Sequence, residues 1–280
     1  MATVAGAFSF KERRPDLLSG TPRAHAIDRW IFVAMAAWFI VVVLVGFIPD
    51  ALMKIGLVQA GLRPPFPIVM HMHAVAMGSF LLLLLAQTVM VATGRCELHK
   101  QVGIAAFVLV PVLVVVGIVL APTMYYQSWY ALQAAPPSAR AELQQVLSIR
   151  EDILLLQISA GLLFATFIWI ALSARKENSG LHKRMMILAT AVPLGASIDR
   201  MWWLPNTLPW SSMGTDLYIL ALAVGPLFAW DAIRNRRVNS AYLVWFAIYA
   251  PASLLMYRLW DTPFWHATAR GIMGVSAIGA

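Results

Sequence analysis

Residues 67–92 read PIVMHMHAVAMGSFLLLLLAQTVMVA, and no Asp, Glu, Lys or Arg interrupts the run. A helix needs about 20 consecutive apolar residues to cross the hydrocarbon core of a bilayer. Because lipid offers no partners for backbone N–H and C=O groups, such a run has to satisfy them internally, as an α-helix does. The segment therefore predicts a transmembrane helix.

Six other apolar blocks of similar length occur along the chain. We predict spans at 30–49, 67–92, 103–124, 152–173, 185–204, 216–233 and 239–259. The 280 residues are 60% hydrophobic and 12% charged, and this charged fraction is about half that of soluble domains. The longest connection, 125–151, has room for a surface helix but for no separate domain. The sequence therefore predicts an all-α polytopic membrane bundle at 30–259, with a basic tail at 1–29 and a short tail at 260–280.

Positive charge is distributed unevenly between the two sides of this predicted bundle. Fourteen of the 21 Lys and Arg residues fall in the N-terminal tail and in the loops 93–103, 174–184 and 234–238, all on one side. Cytoplasmic loops carry the excess of Lys and Arg, so we expect the N-terminus in the cytoplasm and the C-terminus outside. The net charge of +8 is then a topology signal and requires no nucleic acid partner. We expect no cleaved signal peptide, because no apolar segment precedes the first span.

Five polar residues enter the predicted spans from the outer side. They are His71, His73, Gln157, Asp199 and Arg200. Polar and ionisable side chains at membrane depth are costly and normally face protein or water, so these residues are candidates for an outer-leaflet binding pocket. The alternative is that Asp199 and Arg200 lie at the water interface beside Trp202 and Trp203, in an ordinary aromatic belt. The sequence leaves open which of the two histidines faces the bundle.

A second feature of the span 67–92 is a face that combines methionine and histidine. Met70, His73 and Met77 are spaced at i, i+3 and i+7, which places them on one side of a helix. One imidazole and two thioethers suit copper(I). Methionine is also an ordinary apolar residue of membrane helices, and this second interpretation remains open.

Two further histidines lie in a pair of similar segments, which are either a loose internal repeat or a chance recurrence in apolar sequence. The segment LHKQVGIAAFVLVPVL (98–113) recurs as LHKRMMILATAVPL (181–194), which places His99 and His182 at matching positions on the cytoplasmic face. Such a pair could bind a haem iron or touch a quinone head group, whereas the alternative is two solvated interfacial side chains. Haem b held by two histidines needs them on facing helices at one depth, so a multi-haem cytochrome is disfavoured. His25 and His266 lie in the predicted tails, and we assign them no role.

These motifs resemble those of a family of bacterial multi-pass membrane proteins without an established reaction. That family carries a histidine in an early span and a cytoplasmic His-Arg-x-x-Gly turn, similar here to H-x-H at 71–73, A-Q at 86–87 and G-R-x-x-L-H-K-x-x-G at 94–103. Its later segments are similar to L-H-K-R-M-M at 181–186 and D-R-M-W-W-L-P at 199–205. Lys100 and Lys183 stand where that family has an arginine. The resemblance implies a helical bundle in the bacterial inner membrane, similar in outline to haem-binding cytochromes.

Three functions follow as hypotheses. The first is a redox-linked membrane protein that binds haem b or a quinone through its histidines. The second is a non-enzymatic subunit that packs against a larger respiratory or photosynthetic complex. The third is a transporter of small solutes or metals that uses the outer His, Asp and Arg residues. Transport ranks last, because proton-coupled transport usually needs charged groups deep in the membrane and the sequence offers none at the centre.

Overall fold

In a computed structural model, which describes residues 16–205 and 212–275, helices are joined by short connections, and no strand occurs in these ranges. The helices are α1 (Ala26–Gln59), α2 (Ile68–Ala92), α3 (Cys96–Gly103), α4 (Ala106–Gln133), α5 (Pro137–Ala174), α6 (Ser179–Ala191), α7 (Gly195–Ile198), α8 (Ser212–Tyr218), α9 (Gly225–Asn235), α10 (Ser240–Leu259) and α11 (Pro263–Met273). A 3₁₀ turn, Val192–Leu194, joins α6 to α7, and a π-helix, Ile219–Val224, joins α8 to α9.

Six helical stretches of the described chain are long and apolar enough to cross a membrane. They are Ala26–Gln59, Ile68–Ala92, Cys96–Gln133, Pro137–Ala174, Met213–Asn235 and Ser240–Leu259. Each corresponds to one predicted span. The predicted fold class, an all-α membrane bundle, is therefore confirmed, and lipid is the partner of its apolar outer surface.

The fifth predicted span, 185–204, has a different form. The helix starts earlier, at Ser179, and breaks at the 3₁₀ turn because Pro193 has no N–H to donate to the carbonyl of Ala189. The N–H of Val192 bonds that carbonyl instead. At the break, the indole of Trp245 donates to the carbonyl oxygen of Leu188 at 3.1 Å. This interrupted segment is buried along most of its length and forms the centre of the bundle.

The predicted long connection at 125–151 is almost entirely helical. α4 continues to Gln133 and α5 begins at Pro137, so three residues separate them. The extended ends pack against α11, which lies within the predicted tail at 260–280, around the buried side chains of Tyr125, Leu147 and Trp265. The outer side therefore carries a small helical layer that the apolar pattern did not predict.

On the side that the charge distribution predicts to be cytoplasmic, a buried ion network attaches the N-terminal segment to the bundle. The guanidinium of Arg184 donates to Asp16 Oδ2 at 2.9 Å and to Asp231 Oδ1 at 2.8 Å. All three side chains are at most 1% exposed. The backbone N–H of Leu17 also donates to Asn235 Oδ1 at 2.9 Å. The predicted tail at 1–29 is therefore partly structural from Asp16 onward.

This network predicts a pH-dependent stability that traces to Asp16. Burial alone raises the pKa of Asp16, but the charges of Arg184 and Lys183 outweigh burial and hold that pKa below its usual range. A carboxyl with a lowered folded-state pKa contributes stability above its unfolded value of about 4, and this contribution is lost as pH falls through the folded value. Asp16→Asn should therefore lower the melting temperature near pH 7 and lower it progressively less below about pH 4.

The measurement is thermal unfolding in mild detergent between pH 7 and pH 3, followed by tryptophan fluorescence. Glu177→Gln, at an exposed carboxyl between α5 and α6, is the matched control and should change little at any pH. A destabilisation by Asp16→Asn that stays constant across this range would contradict the prediction.

Candidate functional site at the cytoplasmic interface

The structure brings His99 and His182 together. His99 lies in the short helix α3, and His182 lies in the first part of α6, close to the cytoplasmic loops. Their ring centres are 6.4 Å apart and the ring planes are inclined by 73°. Both side chains are half-buried. Of the predicted site residues, these two are in direct ring contact.

Gln87 of α2 determines the tautomer of His99. The orientation of the Gln87 amide is assigned from two backbone groups: with its nitrogen toward the carbonyl of His99 (3.0 Å) and its oxygen toward the N–H of Gly103 (3.1 Å), both amide atoms have matching partners, and in the opposite orientation neither has. The same amide nitrogen donates to His99 Nδ1 at 2.5 Å. With the amide in this orientation Nδ1 is an acceptor, so the proton of neutral His99 is assigned to Nε2.

His182 has the opposite tautomer. Its Nδ1 lies 2.8 Å from the carbonyl oxygen of Ala171. Since a carbonyl can only accept, Nδ1 carries the proton and Nε2 keeps a lone pair. The pair thus presents one N–H donor, on His99, and one acceptor, on His182.

The surroundings of the pair combine positive charge with apolar surface. The guanidinium of Arg175 stacks 5.3 Å from the ring centre of Phe107 and is close enough to His182 for an electrostatic interaction. Ile104, Phe107 and Val108, at the start of α4, are between 48% and 67% exposed. In a membrane these exposed apolar side chains are available to contact lipid.

On the outer side, the structure distinguishes the two histidines of α2. His73 is half-buried on the same face as Val69 and Ala76, which belong to the buried residues of α2. His71 is exposed, and its ring centre is 6.1 Å from that of Phe66. His73 therefore faces the bundle. Met70 and Met77 are also half-buried on α2, and the copper(I) interpretation stays a prediction.

Asp199 and Arg200 contact different helices. Asp199 accepts from the hydroxyl of Thr215 in α8. Arg200 Nε donates to Asp50 Oδ2 of α1 at 3.3 Å, and its guanidinium lies 4.4 Å from the ring centre of Phe47. Gln157 is half-buried on α5. The outer pocket composed of five residues stays a prediction.

The aromatic neighbours of Asp199 and Arg200 are strongly exposed. Trp202 has 83% and Trp203 has 46% of its surface accessible. Exposed tryptophans at the end of a membrane segment are typical of an interfacial belt. This favours the alternative in which Asp199 and Arg200 lie at the water interface.

Sequence reasoning assigned no role to several buried carboxylates, among them Asp216 and Glu151. Asp216, at the predicted start of the sixth span, accepts from the hydroxyls of Tyr249 at 2.5 Å and Ser253. Glu151 is fully buried beside His266, a histidine to which the sequence assigned no role. An acidic residue inside or directly before an apolar run was the available signal in both places.

Comparisons with protein-family models, with curated proteins and with solved structures found no match for the chain. Function therefore has to be inferred from the chemistry of the residues. The histidine pair is the strongest candidate site, because two half-buried imidazoles with opposite assigned tautomers are in ring contact.

Proposed function

We propose that the chain is a redox-linked integral membrane protein that binds a quinone head group at His99 and His182. The observation that carries this proposal is the complementary pair of tautomers at 6.4 Å. A quinone oxygen is an acceptor when oxidised and a hydroxyl donor when reduced. A site that serves both forms needs one donor and one acceptor.

The ring separation fits one ligand oxygen between the two imidazoles. Hydrogen bonds of about 2.8 Å from one oxygen to both Nε2 atoms are compatible with ring centres roughly 6 Å apart. His99 Nε2–H donates to the carbonyl oxygen of the quinone, and His182 Nε2 accepts the proton of the quinol hydroxyl. Arg175 favours any anionic form of the head group, because it adds a positive charge beside His182.

Haem b with two histidine ligands is less compatible with this chemistry. To bind the iron, Nε2 of His99 and Nε2 of His182 would each need a free lone pair. In the assigned tautomers His182 has this lone pair and His99 does not. His99 would need its proton on Nδ1 instead of Nε2. The Gln87 amide would then have to rotate and lose its bonds to His99 and Gly103. Quinone is therefore preferred over haem at this pair.

The proposal also extends to location and partners. A quinone is a lipid-soluble carrier, which agrees with a multi-pass protein whose site opens toward the bilayer, and we place the protein in the bacterial inner membrane. Quinol oxidation releases two electrons and two protons. The electrons require an acceptor, so we expect a redox subunit in the same membrane.

The test is binding of decylubiquinone to the full chain in mild detergent, measured by quenching of tryptophan fluorescence. His99→Ala and His182→Ala should each weaken binding at least tenfold, or about 1.4 kcal/mol, because each removes one of two hydrogen bonds. His25→Ala removes an exposed cytoplasmic-side histidine and serves as the matched control. Quinone extracted from the purified protein should decrease in the same two variants.

Two results would overturn the proposal. One is equal quinone affinity in wild type and in both histidine variants. The other is a reduced-minus-oxidised visible spectrum of haem b that disappears in His182→Ala, which would assign the site to a haem instead.

A further inference from the structure

A second cluster of potential ligands lies at the opposite, outer end of the bundle. Asp152 comes from α5, Asp261 from the connection between α10 and α11, and His266 from α11. One side-chain ligand atom from each lies within 4.8 Å of the others. Asp152 lies 109 residues before Asp261, so the fold of the outer helical layer brings it to the other two residues.

The environment of His266 defines which of its nitrogens is available. Nδ1 lies 2.8 Å from Glu151 Oε2. The Glu151 side chain is fully buried, and Arg270 Nε donates to its other oxygen at 2.8 Å. Nδ1 faces this carboxylate without a well-aligned hydrogen bond, and the imidazole proton is assigned to Nδ1 because the negative charge of Glu151 attracts it. The lone pair of Nε2 then points toward Asp261 Oδ1, which is 3.3 Å away.

The hydroxyl of Ser148, also 3.3 Å from Nε2, can donate to this nitrogen. Nε2 and Asp261 Oδ1 still face each other as two acceptors at 3.3 Å, and a proton or a metal ion between them would relieve their repulsion. A second proton on His266 would serve Nε2 and Asp261. That proton would not reach the carboxylate of Asp152, which is 3% exposed. Asp152 would keep the backbone N–H of Asp261, at 2.9 Å, as its hydrogen-bond donor. A divalent ion satisfies all three groups at once. It also balances charge, because Arg270 pairs with Glu151 and the carboxylates of Asp152 and Asp261 add two further negative charges beside it.

We propose that Asp152, Asp261 and His266 form a Zn²⁺ site on the outer face, with Glu151 as the positioning residue of the histidine. A carboxylate that accepts the second ring N–H of a metal-bound histidine is a common arrangement, and it fixes the ring and raises its basicity. One imidazole nitrogen with two carboxylate oxygens matches the ligand types of zinc. The Asp261 side chain is 76% exposed, so the ion can enter and water can complete its coordination.

Bound zinc would join α5 to the start of α11 at the outer surface. This site and the quinone proposal are independent, because different residues on opposite sides of the membrane carry them. Asp261 also has a positive φ of 53°. Asparagine tolerates that backbone conformation, so Asp261→Asn changes the ligand with little effect on the fold.

The experiment is a Zn²⁺ titration of the chelator-treated full chain in mild detergent, by calorimetry. Asp261→Asn and His266→Gln should each weaken zinc binding at the site at least tenfold. Glu151→Gln should weaken it 10- to 100-fold while one ion still binds at saturation, as expected for loss of a positioning residue. His25→Ala should match wild type.

The outcomes distinguish a bound zinc ion from a protonated His266 as the cation of this cluster. Zinc that raises the melting temperature of wild type but not of Asp261→Asn supports the site. Wild type that binds no zinc, or that binds it with the same affinity as Asp261→Asn and His266→Gln, overturns the proposal and assigns the cluster to a protonated histidine held by carboxylates.

Discussion

Arg184→Met is expected to destabilise the folded protein by about 3–5 kcal/mol, the cost of removing one partner from a buried ion network. The guanidinium of Arg184 is fully buried and bonds Asp16, Asp231 and the carbonyl of Gly180. Methionine preserves much of the apolar volume of arginine. The loss should therefore be electrostatic, because two carboxylates remain buried without their common cation.

The effect should depend on the charges that remain. A triple variant combines Arg184→Met with Asp16→Asn and Asp231→Asn. Neutral amides then replace the two buried carboxylates, so a large part of the lost stability should return. Mutations within one network are non-additive, and the coupling between these three positions is the measured quantity.

The measurement is unfolding in mixed detergent with increasing SDS, followed by tryptophan fluorescence. Lys176→Met, at an exposed position between α5 and α6, is the matched control and should change the free energy of unfolding by less than about 0.5 kcal/mol. A loss below about 1 kcal/mol for Arg184→Met, or a triple variant less stable than Arg184→Met alone, would refute the assigned role.

The sequence predicted the long helices well because their signal is local. The span predicted at 67–92 corresponds to α2, Ile68–Ala92, since the length of an apolar run and its flanking loops define both ends. The segment predicted at 185–204 was more difficult. Its break depends on Pro193 and on the indole of Trp245, which lies in α10, 57 residues after Leu188, and bonds the carbonyl of Leu188.

At the candidate sites, too, local sequence patterns were informative and contacts between distant residues were not predictable. The internal repeat indicated that His99 and His182 belong to equivalent positions. Their tautomers were not predictable, because they depend on Gln87 and on the carbonyl of Ala171, both outside the repeated segments. His266 was dismissed as a tail residue, since nothing near it in the sequence reveals Glu151, which is 115 positions earlier and binds its ring.

Gly46→Ala is expected to destabilise the bundle by about 3 kcal/mol, at the upper end of the usual cost of overpacking. Gly46 lies where α1 crosses α7, and a Cβ there would collide with the backbone oxygen and the hydroxyl of Ser197. Ser197 is fully buried, and its hydroxyl donates to the carbonyl of Val42 at 2.7 Å. Small residues permit this close approach of two membrane helices.

A small shift of a side chain cannot relieve this collision. The nearest atom belongs to the backbone of the buried central segment and not to the end of a flexible side chain. Gly56→Ala is the matched control in the same helix, since a Cβ at Gly56 meets nothing within 4 Å. That control should be neutral or stabilising by about 0.5–1 kcal/mol, as alanine favours the helix over glycine. The same SDS titration compares the two variants. Equal free energies of unfolding for Gly46→Ala and Gly56→Ala would mean that α1 and α7 are not in the close contact that positions the interrupted segment.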